Sequence, residues 1–259
     1  MTVAVIGNDS RQKHLARLFN RKANTLYLDG SNDFEKIKGY LSLADTVILP
    51  YPFTRDGVTV NTTEYKISDI VNTLKPNCNI YGGGIEKYFN SPYTSDYSKN
   101  EVFLLKNALY TAEGAVSIAI ENTDISLNTA KILIIGNGRI GKYLSKILSS
   151  FCTDITVSAR KTADFEYIKN HKLKYINTNT AENLSEYDII FNTVGQSALC
   201  IKALKSVKPD TLVIDLASKN SGLNITENYI DAKALPTKYS PKSSATALFN
   251  SISKEIFKG

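Results

Sequence analysis

The sequence predicts an α/β protein of two domains with mostly parallel sheets. Short apolar runs alternate with helical patterns along the chain, which is the order expected of parallel strands joined by helices. A glycine-rich turn at residues 136–141 separates one apolar run from a helical pattern. The length of 259 residues and the hydrophobic content of 42% suit one large or two ordinary globular domains. Together these observations favour two Rossmann-like halves.

The first half shows a regular alternation of strands and helices. Strands are predicted near residues 3–6, 25–28, 46–49 and 78–81, and helical patterns near 14–19 and 64–74. Three glycines at 82–84 end the last strand, and a polar loop is expected up to about residue 100.

A long helical segment at about 101–121 is predicted to link the two halves. The second half has predicted strands near 131–135, 154–159, 175–176, 188–193 and 211–215, and the helical tail 242–257 is expected to pack back on the first half. The predicted domains are 1–108 with about 242–259, for substrate or partner binding, and 109–241, for dinucleotide binding. We expect cofactor and substrate to meet in the cleft between them.

The glycine-rich turn has the spacing Gly136-x-Gly138-x-x-Gly141. The first glycine permits a tight turn, the second lets a pyrophosphate approach the backbone, and the third lets the helix pack on the strand. The helix N-terminus would offer unpaired N–H groups to the phosphates. The predicted cofactor-binding turn consists of Gly136, Asn137, Gly138, Arg139, Ile140 and Gly141. A glycine-rich turn without a ligand is the alternative.

The next strand indicates which dinucleotide is bound. NAD-binding units carry an acidic residue about 20 residues past the glycines, where it holds the ribose 2′-OH. Here Arg160 and Lys161 follow the strand, whereas Asp154 precedes it and Asp164 lies beyond its end. A guanidinium suits bidentate contact with a 2′-phosphate, which favours NADP over NAD. Two exposed basic residues without a ligand are the alternative.

Polar residues at the ends of two further strands complete the predicted cofactor site. Ligands of parallel sheets bind outside the carboxyl ends of the strands. Asn192, Thr193 and Val194 would therefore lie near the nicotinamide ribose. The nicotinamide itself would lie near Asp215, Ala217 and Ser218. Each set could also be an ordinary polar strand end.

Composition and charge argue against several other classes of protein. The net charge of +6 is spread along the chain without a basic block, so we expect neither nucleic-acid nor membrane binding. No apolar run is long enough to span a bilayer, and the N-terminus lacks the pattern of a signal peptide. Cys78, Cys152 and Cys200 are scattered, which indicates a reducing compartment, and we expect a cytoplasmic protein. With His14 and His171 as the two histidines, no metal site is predicted.

Six segments carry a resemblance to a known family. They are Asn107-Ala-Leu-Tyr-Thr111-Ala-Glu113-Gly-Ala115, Ile134-Ile-Gly-Asn-Gly-Arg-Ile-Gly141, Ala159-Arg160, Asn192-Thr193, Asp215-Leu-Ala-Ser218 and Leu235-Pro-Thr-Lys238-Tyr-Ser-Pro-Lys242. Their order resembles the A subunit of dipicolinate synthase, which is the NADP-binding subunit in endospore-forming bacteria. The chain departs from the family at Asn220-Ser-Gly222, where Pro-Gly-Gly is usual, and at Thr237, where the family has glycine. A paralogue with a changed substrate is therefore a further possibility.

The resemblance implies oxidation of dihydrodipicolinate, or of its hydrated precursor hydroxytetrahydrodipicolinate, to dipicolinate. It also implies a fold similar to that of the 2-hydroxyacid and alanine dehydrogenases, together with a flavoprotein-like second subunit. We further expect a homo-oligomer.

The expected chemistry needs cations and a proton acceptor. Arg11, Arg55, Lys238 and Lys242 lie in predicted loops or at helix starts and are the candidates for holding a dicarboxylate, although each could be an ordinary surface residue. Glu113 is the first candidate for acid–base work, with Thr111 beside it. Lys242, in a family-like segment, is the third catalytic candidate. His14 lies on the apolar face of a predicted helix and is interpreted as structural.

Two other functions fit the same motifs. One is an NADP-dependent two-domain dehydrogenase of the shikimate, 2-hydroxyacid or methylene-tetrahydrofolate type. The other is a nucleotide-sensing subunit that has no catalytic activity of its own. Turnover of the cofactor by the isolated chain would separate these alternatives.

Overall fold

The computed structural model describes residues 1–181, 183–195, 203, 205–217 and 226–257. The chain divides into two compact units. The first contains residues 1–107 and 236–259, and the second contains residues 108–235.

The first unit contains a five-stranded parallel sheet. Its strands are β1 (Thr2–Ile6), β2 (Asn24–Leu28), β3 (Thr46–Ile48), β4 (Asn79–Gly82) and β5 (Thr94–Asp96), in the spatial order β2-β1-β3-β4-β5. Its helices are α1 (Ser10–Phe19), α2 (Phe34–Ser42), α3 (Ile67–Thr73) and a short 3₁₀ helix (Tyr97–Lys99). Alternate residues of β1 enter two apolar cores, with Ala4 and Ile6 in one and Val3 and Val5 in the other. The alternation follows from the two-residue period of a strand that is covered on both faces.

The long helix α4 (Glu101–Glu121) carries the chain from the first unit into the second. Its bounds agree with the predicted linking segment. The second unit holds a six-stranded parallel sheet in the order β11-β10-β9-β6-β7-β8. Its strands are β6 (Lys131–Ile135), β7 (Asp154–Ala159), β8 (Lys174–Asn177), β9 (Ile189–Asn192), β10 (Leu212–Asp215) and β11 (Tyr229–Asp231). Helices α5 (Arg139–Leu148) and α6 (Thr162–Asn170) follow β6 and β7.

The end of the chain belongs to the first unit. After the short helix α7 (Leu235–Tyr239), helix α8 (Pro241–Ile256) packs on α1. The ring of Phe249 lies 4.8 Å from that of Phe19, edge to face, and Leu248 and Ile252 are buried in the same core. The predicted return of the tail to the first half, and the predicted fold class with two parallel sheets, are confirmed.

Several elements were not expected from the sequence. The predicted polar loop before residue 100 contains β5 and the 3₁₀ helix, and β11 was also missed. β5 and β11 have three residues each, which is too few for a visible alternation of apolar and polar residues. Helix α2 buries only Ile37 and Leu41, so its apolar stripe is narrow.

Candidate dinucleotide site

The strand order of the second sheet defines where a ligand can bind. Chain connections run from β6 outward to β7 and β8 on one side and through β9, β10 and β11 on the other. The direction of winding therefore reverses between β6 and β9, which pair in parallel from Ile132 with Ile189 to Ile135 with Asn192. Open α/β sheets bind ligands in the crevice outside the carboxyl ends of the strands at such a point. The glycine turn follows β6 directly and so lies at this crevice.

The three glycines of the turn differ in the space that a side chain would meet. Gly136 has φ +101°, and an added Cβ would lie 2.7 Å from Oγ1 of Thr193. At Gly141 an added Cβ would lie 2.0 Å from the carbonyl oxygen of Gly136, so the first turn of α5 packs against the glycine turn itself. At Gly138 an added Cβ would meet nothing within 4 Å. The turn is thus closely packed on its protein side and open at its middle glycine.

The N-terminus of α5 is suited to an anion. Gly138 is its N-cap and has no side chain to accept a hydrogen bond from the first N–H groups. Its first turn contains no acidic residue, and Arg139 is exposed there. Ile140 is half-buried and Asn137 is partly covered. Open space at Gly138 and an uncapped helix end fit the pyrophosphate of a dinucleotide.

The ends of β9 and β10 are joined by a buried hydrogen-bond network. Nδ2 of Asn192 donates to Oδ1 of Asp215 (2.8 Å) and to the carbonyl oxygen of Val194 (3.0 Å). The backbone N–H of Ala217 also donates to Oδ1 of Asp215, and the hydroxyl of Tyr229 donates to Oδ2 (2.9 Å). Asn192 and Asp215 are 1% and 2% exposed, so both side chains position the neighbouring loops. Direct contact between either of them and a cofactor stays a prediction.

Thr193 ties the same crevice to the glycine turn. Its backbone N–H and its hydroxyl both donate to the carbonyl oxygen of Ile135, at 3.0 and 2.8 Å. The side chain of Val194 lies against Gly136. The structure therefore brings together the predicted residues after β6 and β9. Ser218, also predicted here, lies outside the described residues.

The end of β7 presents basic side chains beside the glycine turn. β7 pairs in parallel with β6, so their carboxyl ends lie side by side. Arg160 and Lys161 follow β7 and are exposed. Asp164, in the first turn of α6, accepts a hydrogen bond from Nδ2 of Asn137 at 3.0 Å. Sequence reasoning gave Asp164 no role, because it lies beyond the strand end where an acid is expected.

Arg11 is placed differently from the sequence-based expectation. It was treated as an accessible cation at a helix start, whereas the structure buries it to 1% exposure. Its Nη2 donates to the carbonyl oxygen of Tyr51 (2.7 Å) and lies 3.9 Å from Oδ2 of Asp9. Asp9 also caps α1 by accepting from the N–H of Gln12. Arg11 thus joins the ends of β1 and β3, and its contact with substrate stays a prediction.

The other candidate cations of the first unit are exposed. Arg55 is exposed in a loop that is fixed by Asp56, whose carboxylate accepts hydrogen bonds from the backbone of Val58 and Thr59. These hydrogen bonds hold the pKa of Asp56 far below its usual value. Lys238 lies over the ring of Tyr239, with its Nζ 5.1 Å from the ring centroid. Lys242 is exposed in the first turn of α8.

The predicted catalytic pair of α4 separates into a buried and an exposed residue. Thr111 is buried and Glu113 is exposed, both within the second unit. Burial, followed by the negative charge of Glu113, raises the pKa of the neighbouring Tyr110. Because Glu113 is exposed, its carboxylate is accessible to a ligand. The catalytic role of Glu113 stays a prediction.

Sequence reasoning missed two residues of this site, Asp164 and Tyr229. Both act through side-chain contacts with residues 27 and 14 positions away in the chain. Helix α6 and strand β11, which carry them, were not predicted. The separation of Asp164 from the glycines in the sequence was the one feature that could have drawn attention to it. That separation is close to the usual spacing of a ribose-binding acid.

In the described part of the chain, no helix combines the length and apolar character that a membrane span requires. Across the same residues, no three His, Cys, Asp or Glu side chains are grouped so that they could hold a metal ion.

Comparisons with known proteins define the class of this chain. Residues 117–220 match the family model of shikimate / quinate 5-dehydrogenase. The fold also resembles an NAD-dependent formate dehydrogenase from Staphylococcus aureus solved in complex with NAD, with a TM-score of 0.55, 13% identity and coverage of 100% of this chain and 96% of that one. The chain thereby shares the two-domain, Rossmann-type fold of NAD(P)-dependent oxidoreductases.

A more specific relationship comes from three further matches. Residues 2–98 match the model of the N-terminal domain of the dipicolinate synthase A subunit. The A subunit of dipicolinate synthase from Bacillus subtilis (strain 168) is 26% identical over 98% of this chain and 95% of its own length. The crystal structure of the corresponding protein from Bacillus halodurans superposes with a TM-score of 0.81, at 20% identity over 100% of this chain and 98% of that one. The resemblance to the A subunit of dipicolinate synthase, carried by the motifs, is confirmed.

Proposed function

We propose that this chain is an NADP-dependent oxidoreductase subunit that oxidises dihydrodipicolinate, or hydroxytetrahydrodipicolinate, to dipicolinate during spore formation. The observation that carries the proposal is the glycine turn at the crevice between β6 and β9, with Arg160 and Lys161 beside it. The full-length similarity to the A subunit of dipicolinate synthase supports the choice of substrate. A cytoplasmic location, a homo-oligomer and a flavoprotein-like second subunit belong to the same proposal.

The residues can be assigned roles in this reaction. Formation of the aromatic ring from a dihydropyridine dicarboxylate removes a hydride and a proton, and a bound NADP⁺ would take the hydride. Glu113 would accept the ring proton, because its carboxylate is exposed in the second unit. Arg55, Lys238 and Lys242 would hold the two carboxylates, since each is an exposed cation in a loop or near a helix end. The buried Asn192 and Asp215 would position the loops against which the cofactor lies.

The experiment that tests the proposal is calorimetric titration of the purified chain with NADPH and NADH, with and without dipicolinate. We expect NADPH to bind more tightly and dipicolinate to change its affinity, because both would occupy one site. If dipicolinate leaves the affinity for the nucleotide unchanged, the proposed substrate is rejected. No binding of either nucleotide would reject the cofactor and with it the proposed function.

The Arg160→Ala variant tests the choice of cofactor. Loss of charge-assisted hydrogen bonds to a 2′-phosphate should weaken NADPH about tenfold to a hundredfold and leave NADH nearly unchanged. Lys146→Ala removes a cation from the last turn of α5 and serves as the matched control. If Arg160→Ala weakens the binding of NADPH and of NADH by the same factor, the role assigned to Arg160 is refuted.

The Glu113→Gln variant tests the proton acceptor. Turnover of dihydrodipicolinate should fall about a hundredfold or more, as expected when a general base is lost, while the affinity for NADPH stays the same. Glu121→Gln, an exposed change at the end of the same helix, is the control. Full turnover in Glu113→Gln would leave the residue with a structural role at most.

A second candidate function rests on the match of residues 117–220 to the shikimate / quinate 5-dehydrogenase model. A shikimate-type enzyme would oxidise shikimate or quinate with NADP⁺ and would ignore dicarboxylates. Assays of the isolated chain with shikimate, quinate and dihydrodipicolinate therefore separate the two functions directly.

A further inference from the structure

Thr62 has a backbone conformation that a β-branched residue rarely adopts. Its φ is +67°, in the left-handed region, where the branched side chain crowds the backbone. Lys172 and Ala234, which also have positive φ, are not β-branched. Such a conformation costs free energy and persists only where the surrounding structure imposes it, which is common at sites that hold a ligand. Glycine would adopt it without strain, so threonine must supply something that glycine lacks.

The hydroxyl of Thr62 makes a contact that glycine could not make. Its Oγ1 accepts a hydrogen bond from the backbone N–H of Asn8 at 2.8 Å, across 54 positions of the chain. Asn8 lies in the turn between β1 and α1. In the same turn, a Cβ added at Gly7 would lie 3.5 Å from Oγ1 of Thr62. The strained residue therefore places a hydrogen-bond acceptor against the turn after β1.

Thr62 directly follows a closed loop, residues 53–61, which carries Arg55. The loop is closed by the backbone N–H of Asn61, which donates to the carbonyl oxygen of Phe53 at 2.8 Å. Arg55 is exposed in this loop. The position of its guanidinium depends on how the base of the loop is fixed, because the loop makes a closed unit.

The base of the loop is fixed at the carboxyl edge of the first sheet. The backbone N–H of Phe53 donates to the carbonyl oxygen of Gly83, which follows β4, at 3.0 Å. Beyond β2, a Cβ added at Gly30 would lie 3.1 Å from Cβ of Thr63. The bond made by Thr62 adds the end of β1. The sheet order reverses its winding between β1 and β3, and open α/β sheets bind ligands at the carboxyl edge beside such a point.

We propose that Thr62 is a positioning residue for the substrate. Its hydroxyl holds the loop that carries Arg55 against the turn after β1, and so keeps the guanidinium of Arg55 in place for one carboxylate of the dicarboxylate. This inference rests on the proposed function, in which Arg55 binds that carboxylate. Without the hydrogen bond, the loop would occupy the binding arrangement for a smaller fraction of the time, and the apparent affinity would fall by that fraction.

Two substitutions separate the hydroxyl of Thr62 from the shape of its side chain. Thr62→Val keeps the branched shape and removes the acceptor, so dipicolinate should bind about five- to tenfold more weakly, as expected for one hydrogen bond. Thr62→Ser keeps the hydroxyl without the methyl group that crowds the backbone. It should bind dipicolinate as the wild-type chain does and melt at the same or a higher temperature.

Calorimetry of the full chain with saturating NADPH, well below the melting temperature, measures these affinities. Thr73→Val is the control, because it removes a hydroxyl that bonds to the carbonyl oxygen of Asp69 within α3 of the same unit. Hydrogen exchange of the Asn8 amide, followed by NMR, reports on the bond itself. The exchange should become at least about fivefold faster in Thr62→Val and stay unchanged in Thr62→Ser.

The Arg55→Ala background shows whether Thr62 acts through Arg55. Arg55→Ala should itself weaken the binding of dipicolinate. Adding Thr62→Val should then change the affinity by less than about twofold, because the group that Thr62 positions is absent. A residue with a structural role alone would give no loss of affinity in the single variant, or the same loss in both backgrounds.

The outcomes separate this inference from the proposed function. Wild-type affinity in Thr62→Val, an equal loss in Thr62→Ser, or the same loss with and without Arg55 overturns the inference and leaves the proposed function intact. If thermal melting shows that Thr62→Val does not fold, Thr62→Ala removes the same acceptor and takes its place in each comparison. A wild-type chain that does not bind dipicolinate overturns both.

Discussion

At the scale of single residues, Gly141 has the most demanding environment in the glycine turn. It lies within α5, where alanine would normally be more favourable than glycine by about 0.5–1 kcal/mol. An added Cβ would nevertheless lie 2.0 Å from a backbone oxygen, which cannot move without opening the turn. The packing requirement therefore outweighs the helix propensity at this position.

Gly141→Ala should lower the free energy of unfolding by about 2 kcal/mol or more and abolish NADPH binding, because the turn must open to admit the methyl group. Gly39→Ala is the control, since Gly39 lies on an exposed part of α2 with no atom within 4 Å of the added Cβ. That change should stabilise the protein by up to about 1 kcal/mol. Urea unfolding of both variants, with calorimetry for NADPH, checks the prediction. A Gly141→Ala variant that binds NADPH normally would contradict it.

Tyr229 shows how one hydroxyl can support a buried carboxylate. Tyr229→Phe removes the donor to Oδ2 of Asp215, which is 2% exposed, and should cost about 1–3 kcal/mol of stability. We also expect weaker nucleotide binding, because Asp215 holds the loops that end β9 and β10. Tyr93→Phe, at a tyrosine that is 46% exposed, is the control for the loss of a hydroxyl. Denaturant unfolding that gives the same stability for both variants would be evidence against this role of Tyr229.

At the scale of elements, the packing of α8 on α1 creates a local cluster of positive charge. His14 lies on α1, and Lys242 begins α8. Burial lowers the pKa of His14 below its ordinary value of 6.5, and positive charges add to the effect. The charges are those of Arg17, Lys242 and Lys13. The stability of the contact between α1 and α8 is therefore expected to depend on pH.

The sign of this linkage follows from the lowered pKa. Unfolded chains take up a proton at His14 as the pH falls through 6.5, while folded chains do so only at lower pH. The stability contributed by neutral His14 is therefore complete above pH 6.5 and declines as the pH falls below that value. His14→Gln should flatten the dependence of stability on pH between about 7.5 and 5.5.

Proton NMR can follow His14 directly, because the chain has two histidines. Lys242→Ala should raise the pKa of His14 towards 6.5 by removing one of the nearby charges. Lys254→Ala, an exposed change in the last turn of α8, should leave it unchanged. If Lys242→Ala leaves the titration of His14 where it was, the two side chains are not electrostatically coupled.

Elements differ in how well their sequences reveal them. The bounds of α4 and β7 agree with the approximate predictions, since each has a continuous apolar or helical pattern with clear ends. Helix α3 is shorter than expected and β5 was not expected, because short polar segments carry little periodic signal. Their formation depends on pairing and packing with neighbours distant in the chain.

At the scale of the whole molecule, each unit has its own parallel sheet and its own order of strands. The order β2-β1-β3-β4-β5 reverses its winding between β1 and β3, while the second sheet reverses between β6 and β9. Local sequence specifies strands and helices, but the order in the sheet depends on crossover connections and on which faces are buried together. The sequence alone therefore did not reveal that the candidate site lies where the direction of winding reverses, because this depends on the strand order.

The sequence by itself determined the fold class, the position of the glycine turn and the resemblance to the A subunit of dipicolinate synthase, because these depend on local spacing and periodicity. The tertiary structure decided that Asp164 meets Asn137, that Tyr229 supports Asp215 and that Arg11 is buried. Those contacts join residues that are far apart in the chain and close only when neighbouring strands end at the same edge of a sheet. Local pattern specifies the elements, whereas the side-chain partners depend on how the strands are ordered.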